Sequence, residues 1–383
     1  MEKSKVFFTT FKTSSRENLL QKLKRLCISA GINEIDFNEK YTAIKIHFGE
    51  YGNLAFLRPN YAKVVADIVK EGGGKPFLTD CNTLYVGSRK NAIDHLDTAY
   101  VNGFSPMTTG CQVIIADGLK GLDETLVFMD GEYVKEAKIG QAIMDADVFI
   151  SLTHFKGHEM AGFGGALKNI GMGCGSRAGK MEMHSEGKPI IKEKHCVGCG
   201  ACAKICAHEG PVISDRKAYI DHDKCVGCGR CIAVCPKDAV VPVFGDSNDI
   251  MNYKIAEYAK AVCQNRPCFH ISLICDVSPN CDCHAENDIP IIPNVGMLAS
   301  FDPVALDQAC ADLCNKQPIV KGSVLHDMHK SHSGDCTMHE HIHEDVEQHD
   351  HFHMTHPDTN WKSCVIHAEK IGLGTKEYEL FEI

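Results

Sequence analysis

Two runs of cysteine constrain this chain more than any other feature. The first is Cys196-x2-Cys199-x2-Cys202-x3-Cys206, and the second is Cys225-x2-Cys228-x2-Cys231-x3-Cys235, followed at once by Pro236. A four-iron cubane needs four thiolates at tetrahedral corners. A short loop supplies three, and a cysteine at the start of the next segment supplies the fourth, which in two-cluster proteins serves the other cluster. The expected ligand sets are therefore Cys196, Cys199, Cys202 and Cys235 for one [4Fe–4S] cluster. Cys225, Cys228, Cys231 and Cys206 form the other set. Gly198, Gly200, Gly227 and Gly229 let the loops wrap the sulfurs and aim backbone N–H groups at them. A pair of zinc sites is the alternative use of the same sulfurs.

The spacing is that of bacterial dicluster ferredoxins. One departure is that Ala207 stands where a proline follows the fourth cysteine in that pattern. The 21 cysteines point to metal ligation rather than disulfides if the chain is cytoplasmic. The start, MEKSKVFF, has no apolar signal stretch, so a cytoplasmic location is expected. No apolar run reaches bilayer length, so no membrane span is expected. A net charge of −10 argues against a nucleic-acid partner. A redox partner protein or a small-molecule substrate is expected instead.

Around the cassette the chain alternates strand and helix signals. Strands are expected at 5–11, 41–48, 75–80, 112–118, 147–153 and 268–275. Helices are expected after Ser14 or Ser15, from Pro59 to Lys70, near 89–102, over 249–263 and from Asp302 to Cys314. Alternation of this kind predicts an α/β fold, a mainly parallel sheet with flanking helices. The cysteine runs then form an inserted dicluster ferredoxin-like α+β domain. The expected division is 1–190 and 246–325 plus 357–383 for the two parts of the α/β domain, and 191–245 for the cassette. Residues 326–356 hold ten of the 21 histidines and little apolar periodicity, so they are expected to form a mobile loop. Their imidazoles can bind nickel, copper or zinc adventitiously.

A second feature precedes the cassette. Residues 158–184 read HEMAGFGGALKNIGMGCGSRAGKMEMH, a glycine-rich stretch after a strand, with His158 and His184 at its ends and Lys168 inside. Backbone N–H groups of such a stretch can cradle an anion. Lys168 adds a cation, and two imidazoles can ligate a metal or move protons. Gly164 and Gly165 permit close approach of a ligand. The expected site residues are His158, Lys168 and His184, facing one cavity. Five cysteines, from Cys263 to Cys283, crowd a short stretch further on. There the run Cys281-Asp282-Cys283-His284 offers Cys281, Cys283 and His284 as ligands of a further metal ion, nickel or zinc; the spacing fits no standard zinc or cluster pattern, and buried structural cysteine is the alternative. His47 ends a strand, where open α/β sheets place ligands.

KGHEMAGFGGALKNIGMGCGSRAGK, the cassette, CDCH (281–284), LASFDPVALDQA (298–309) and IGLGTKEYEL (371–380) together resemble domain-of-unknown-function family 362. The resemblance covers nearly the whole chain and implies an α/β domain carrying [4Fe–4S] clusters. The histidine-rich stretch is an addition to that pattern. The glycine-rich segment also distantly resembles lactate racemase and its nickel-pincer relatives. That resemblance implies a cofactor-linked lysine at Lys168, a nickel ligand at His184 and His158 near the reacting carbon. It also implies an anion clamp at Arg58, in LRPN (57–60). TDCNTLY (79–85) lacks the acid–base histidine those relatives carry.

Three functions fit these observations. The first is an oxidoreductase-like redox protein passing electrons through two [4Fe–4S] clusters to or from a ligand site in the α/β domain. The second is a metal- or cofactor-dependent isomerase or racemase using His158, Lys168 and His184. The third is a non-catalytic electron carrier or metal-handling protein.

Overall fold

The computed structural model describes residues 3–85, 87–184, 188–225, 227, 229–242, 248–333 and 350–383. Eight strands form one sheet. They are β1 (Ser4–Thr10), β2 (Tyr41–Lys45), β3 (Lys75–Asp80), β4 (Gln112–Ile115), β5 (Val148–His154), β6 (Cys268–Ile274), β7 (Gly296–Ser300) and β8 (Tyr378–Glu382). Their order across the sheet is β8-β1-β7-β6-β5-β2-β3-β4. β7 runs antiparallel to both neighbours, and the remaining pairs are parallel. The fold is thus α/β with a mostly parallel sheet flanked by helices, as the alternation predicted.

A sheet of this kind must bury both faces. Val148, Ile150 and Leu152 of β5 point to one layer, with Ile44 and Ile271, beneath helices Leu19–Ser29 and Pro59–Glu71. Phe149 points to the other, beneath helices Ala166–Cys174, Asn248–Cys263 and Pro303–Asn315. Two helix starts follow sequence rules. Pro59 occupies the first turn of its helix, and Asp302 caps the helix Pro303–Asn315 by accepting from Val304 and Ala305 N–H. The first helix does not start where Ser14 or Ser15 would cap it. Ser14 pairs with Glu17 in an isolated bridge. Asn18 is the cap instead, with Gln21 reaching back to its N–H at 2.9 Å, a capping box of a less usual residue pair.

The cassette follows β5 and precedes β6. Strand Pro189–Ile191 pairs antiparallel with Val240–Pro242, and Pro211–Ser214 pairs with Lys217–Ile220. Short helices Ala201–Ile205 and Arg230–Val234 pack on one another. Leu84 and Met181 of the α/β part join Cys202, Cys231, Ile232 and Val240 in one small apolar core.

The loop expected over 326–356 is corrected at both ends. Helix Val324–Ser333 runs into it, and helix His351–Thr355 closes it. Phe352 is fully buried against Phe155 and Phe163, with ring centroids 5.6 and 5.5 Å apart. That apolar anchor was hidden among histidines in the sequence. Residues 334–349, with His339, His341, His343 and His349, lie outside the described residues. Deleting 334–349 and bridging the gap with a short Gly/Ser linker is expected to leave the thermal midpoint within a few degrees of the parent's. Deleting all of 326–356, which removes Phe352, is expected to lower it sharply. Calorimetry of both variants checks the contrast.

Candidate functional site

β2, β3 and β5 end at the same edge of the sheet, and the chain leaves each with polar residues. In parallel sheets that carboxyl edge is where ligands bind. A cavity of about 500 Å³ opens there. Its wall includes Lys45 at the end of β2 and His47 just after it, Asp80 at the end of β3 and Tyr85 beyond it, Lys156 after β5, and Arg89, Lys168 and Lys180. Cys281 and Cys283 close one part of it.

Most of its cations are neutralised in pairs. Lys45 Nζ lies 3.0 Å from Asp80 Oδ1 and donates to Asn169 Oδ1 at 2.8 Å. Arg89 Nε lies 3.0 Å from Glu50 Oε2, and Lys156 Nζ 3.3 Å from Asp282 Oδ2. Burial alone pushes the Asp80 carboxyl up, but Lys45 and the other cations around it hold it well below the usual carboxylate range. His95 approaches Asp80 at 3.8 Å. Burial pushes His95 down to about 3, so it stays neutral and the contact is not an ion pair. Lys168 and Lys180 differ from the paired cations: Lys168 Nζ meets Cys281 Sγ at 3.8 Å, and Lys180 donates to the Gly175 carbonyl at 2.6 Å. The cavity is therefore a cationic recess suited to an anionic ligand.

The expectation that His158, Lys168 and His184 face one cavity is corrected: of the three, only Lys168 lines it. Lys168 and the expected glycines Gly164 and Gly165 line the cavity. His158 is buried behind the two sulfurs, and its nitrogen, Cys281 Sγ and Cys283 Sγ all lie within 4.8 Å of one another. His184, on helix Arg177–His184, is buried and pushed down to about 3, by burial first and then by Lys168 and His158. It stays neutral. Neither histidine belongs to the cavity wall itself.

The glycines turn out to serve packing more than flexibility. Lys156–His158 and Gly162–Gly164 form a small antiparallel hairpin, and of this run's glycines only Gly162 has a left-handed φ, 86°. A Cβ on Gly171 would sit 2.1 Å from the Ile255 carbonyl oxygen, so the helix Ala166–Cys174 can lie hard against Asn248–Cys263. A Cβ on Gly165 would meet Asp307 Oδ1 at 2.4 Å. Asp307 instead accepts from Ala166 N–H at 2.6 Å and Leu167 N–H at 2.9 Å and so caps that helix from outside. Lys168 and Asn169 are thereby fixed over the cavity.

The expected clamp Arg58 is corrected. It is exposed at the start of helix Pro59–Glu71 and does not line the cavity. The pre-proline position holds it in extended backbone and turns it outward. Arg89, fully buried, is the arginine of the wall. Sequence reasoning missed Arg89, Lys156 and Lys180, which carry no periodicity signal. Lys45 was legible in principle, as a lone charge in the apolar strand run TAIKIHF.

The run from Cys281 to His284 lies at the same place. Glu159, Cys283 and His284 form a second close group, with donor atoms within 4.8 Å of one another. His284 Nε2 lies 2.9 Å from Glu159 Oε1, which raises the histidine's pKa. A hydrogen bond from Cys283, and next the Lys168 and Lys156 ammoniums, pull the Cys281 thiol well down against burial, while Cys283 is pushed up.

The cassette cysteines enclose two further spaces. One, of about 330 Å³, is walled by Cys196, Cys199, Cys202 and Cys235. The other, of about 340 Å³, is walled by Cys206, Cys225 and Cys231. Cys228 lies outside the described residues. Backbone N–H groups point at the sulfurs: Ala218 at Cys196 (3.3 Å), Ala239 at Cys235 (3.2 Å) and Gly210 at Cys206 (3.4 Å). Lys90, next to Arg89, donates to the Cys235 carbonyl at 3.2 Å. Tyr85, in the cavity wall, packs on the apolar core that contains Cys202 and Cys231.

The model of the family described as "Domain of unknown function (DUF362)" matches residues 42–312. The chain belongs to that family. It is also similar to a thylakoid-associated protein of Synechocystis sp., 28% identical over 123 residues, which are 32% of this chain and 34% of that relative. The solved lactate racemase apoprotein from Thermoanaerobacterium thermosaccharolyticum matches 70% of this chain at 11% identity and a TM-score of 0.35. A protein from Thermotoga maritima matches 68% at 10% identity and 0.36. The match spans half of each solved chain. Among the described residues of this DUF362 protein, no helix is long and apolar enough to cross a membrane.

Proposed function

We propose that this DUF362 protein is an iron–sulfur redox protein of a reducing compartment. Two [4Fe–4S] clusters exchange electrons with an anionic ligand in the cavity at the carboxyl edge of the sheet. The observation that carries this reading is the sorting of the sulfurs. Cys235, last of the second run, walls one space with the first run's Cys196, Cys199 and Cys202. Cys206, last of the first run, walls the other with Cys225 and Cys231. Exchange of the fourth cysteine is the arrangement of two-cluster ferredoxins, and two independent zinc sites have no need of it. The backbone N–H groups aimed at sulfur fit thiolates carrying the charge of a bound cluster. Tyr85, in the cavity wall, packs on that unit's apolar core, and Lys90 bonds the Cys235 carbonyl.

A second reading is isomerisation at His158, Lys168 and His184, favoured by a neutral His184 beside Lys168. It requires turnover without net electron transfer. For the redox reading, anaerobically purified protein is expected to contain about eight irons and about eight acid-labile sulfides per chain, with a visible absorbance that dithionite bleaches. A colourless, zinc-filled protein under those conditions overturns it.

A further inference from the structure

The turn from Cys281 to Cys283 is clamped by its middle residue. The buried Asp282 carboxylate faces His154 Nδ1 at 2.9 and 3.0 Å and Lys156 Nζ at 3.3 Å. Its carbonyl accepts the Glu50 N–H at 2.8 Å. The backbone is therefore held while the two flanking sulfurs face the cavity. Two sulfurs and an imidazole nitrogen within 4.8 Å invite a metal, but the hydrogen bonds of His158 point elsewhere. Its Nδ1 accepts from Met160 N–H at 3.1 Å and Ala161 N–H at 3.0 Å. A neutral imidazole that accepts at Nδ1 carries its proton on Nε2. That nitrogen then donates and has no lone pair for a metal. Lys168 Nζ, which can only donate, lies 3.8 Å from Cys281 Sγ. Cys281 is thus an acceptor sulfur met by donors, with a second sulfur beside it. Tyr85 shares the cavity wall with both sulfurs and packs on the apolar core that holds Cys202 and Cys231.

We propose that Cys281 and Cys283 form a redox-active dithiol–disulfide pair, the two-electron terminus of the clusters. The proposal rests on the cluster reading above. Reduction breaks the S–S bond and takes one electron from each of two reduced clusters. It also takes up one proton, leaving Cys283 as the thiol and Cys281 as a thiolate held by Lys168 and His158. Oxidation runs in reverse, giving two electrons to a small anionic two-electron acceptor in the cavity. One-electron carriers are in this way matched to two-electron chemistry, which explains why a paired sulfur site sits beside a paired cluster unit.

The test uses the full chain with its clusters, oxidised with diamide, desalted and quenched with iodoacetamide under denaturing conditions. Mass spectrometry of the peptide containing 281–283 is expected to show a disulfide that escapes alkylation. Reducing the clusters with dithionite should open it. Anaerobic reductive titration is expected to take up about four electrons per oxidised wild-type chain and about two in Cys283→Ser. Cys281→Ser provides the second variant should Cys283→Ser fold poorly. The proposal is overturned if both cysteines of the cluster-replete oxidised protein remain open to alkylation. It is also overturned if a stoichiometric non-iron metal is found that Cys283→Ser loses. Failure of the cluster reading is seen separately, as missing iron and sulfide.

Discussion

Replacing Asp80 with alanine is expected to destabilise the protein by about 3–5 kcal/mol, the usual result of breaking a buried ion pair from one side. Lys45 is almost wholly buried, with its ammonium 3.0 Å from Asp80, and Arg89 NH1 lies 3.8 Å from the same carboxylate. Removing the carboxylate strands an ammonium and leaves Arg89 to Glu50 alone. Asp80→Asn keeps the volume and loses the charge, so it should fall in the same direction. Urea unfolding followed by circular dichroism measures both. A midpoint unchanged in both variants would mean that the Asp80 carboxylate contributes nothing to stability through Lys45 and Arg89.

The second large effect concerns Lys168. Its ammonium lies 3.8 Å from Cys281 Sγ and lines the cavity. A charge-assisted contact of this kind contributes about 1.5–3 kcal/mol. Lys168→Ala is therefore expected to cut labelling of Cys281 by iodoacetate roughly 10- to 100-fold. Uncharged iodoacetamide should lose less, because only the anionic reagent needs the cation as well as the thiolate. Lys168→Arg should recover much of the iodoacetate rate, and the clusters should stay reducible in both variants. Equal loss with the two reagents would remove the anion site while leaving the thiolate argument in place.

The alternation of strands and helices was legible because it depends on local periodicity, and β5 with its run VFISLTH shows why. Its side chains are buried on both faces, and the apolar residues Val148, Phe149, Ile150 and Leu152 outweigh the small polar Ser151 and Thr153. The first three cysteines of each run were legible as a group because they lie within a few residues, and the structure groups the fourth of each run with the other run's cysteines. The cavity was only half legible. Lys168 and His158 stood in a conspicuous glycine stretch, yet those glycines work by close packing against Ile255 and Asp307, partners far away in sequence. Arg89, Lys156 and Lys180 gain their meaning only from Glu50, Asp282 and the Gly175 carbonyl. No single-sequence pattern connects those positions. Phe352 was missed because histidines surround it, and composition outweighed one aromatic ring.

β5 and β6 are parallel neighbours, yet the hairpin, the lysine-bearing helix and the whole cassette are threaded between them. The ladder from Phe149 to His154 against Cys268 to Leu273 staples the two ends of that excursion together. Closing a loop costs free energy that grows only logarithmically with its length, about 0.6 kcal/mol for each doubling. Lengthening the excursion by a cassette therefore barely taxes the sheet, and the register of neither strand has to change. In modular terms, the cysteine cassette is an insert whose length the sheet tolerates, while Leu84, Met181 and the cavity-lining Tyr85 tie its apolar core to the domain that carries it.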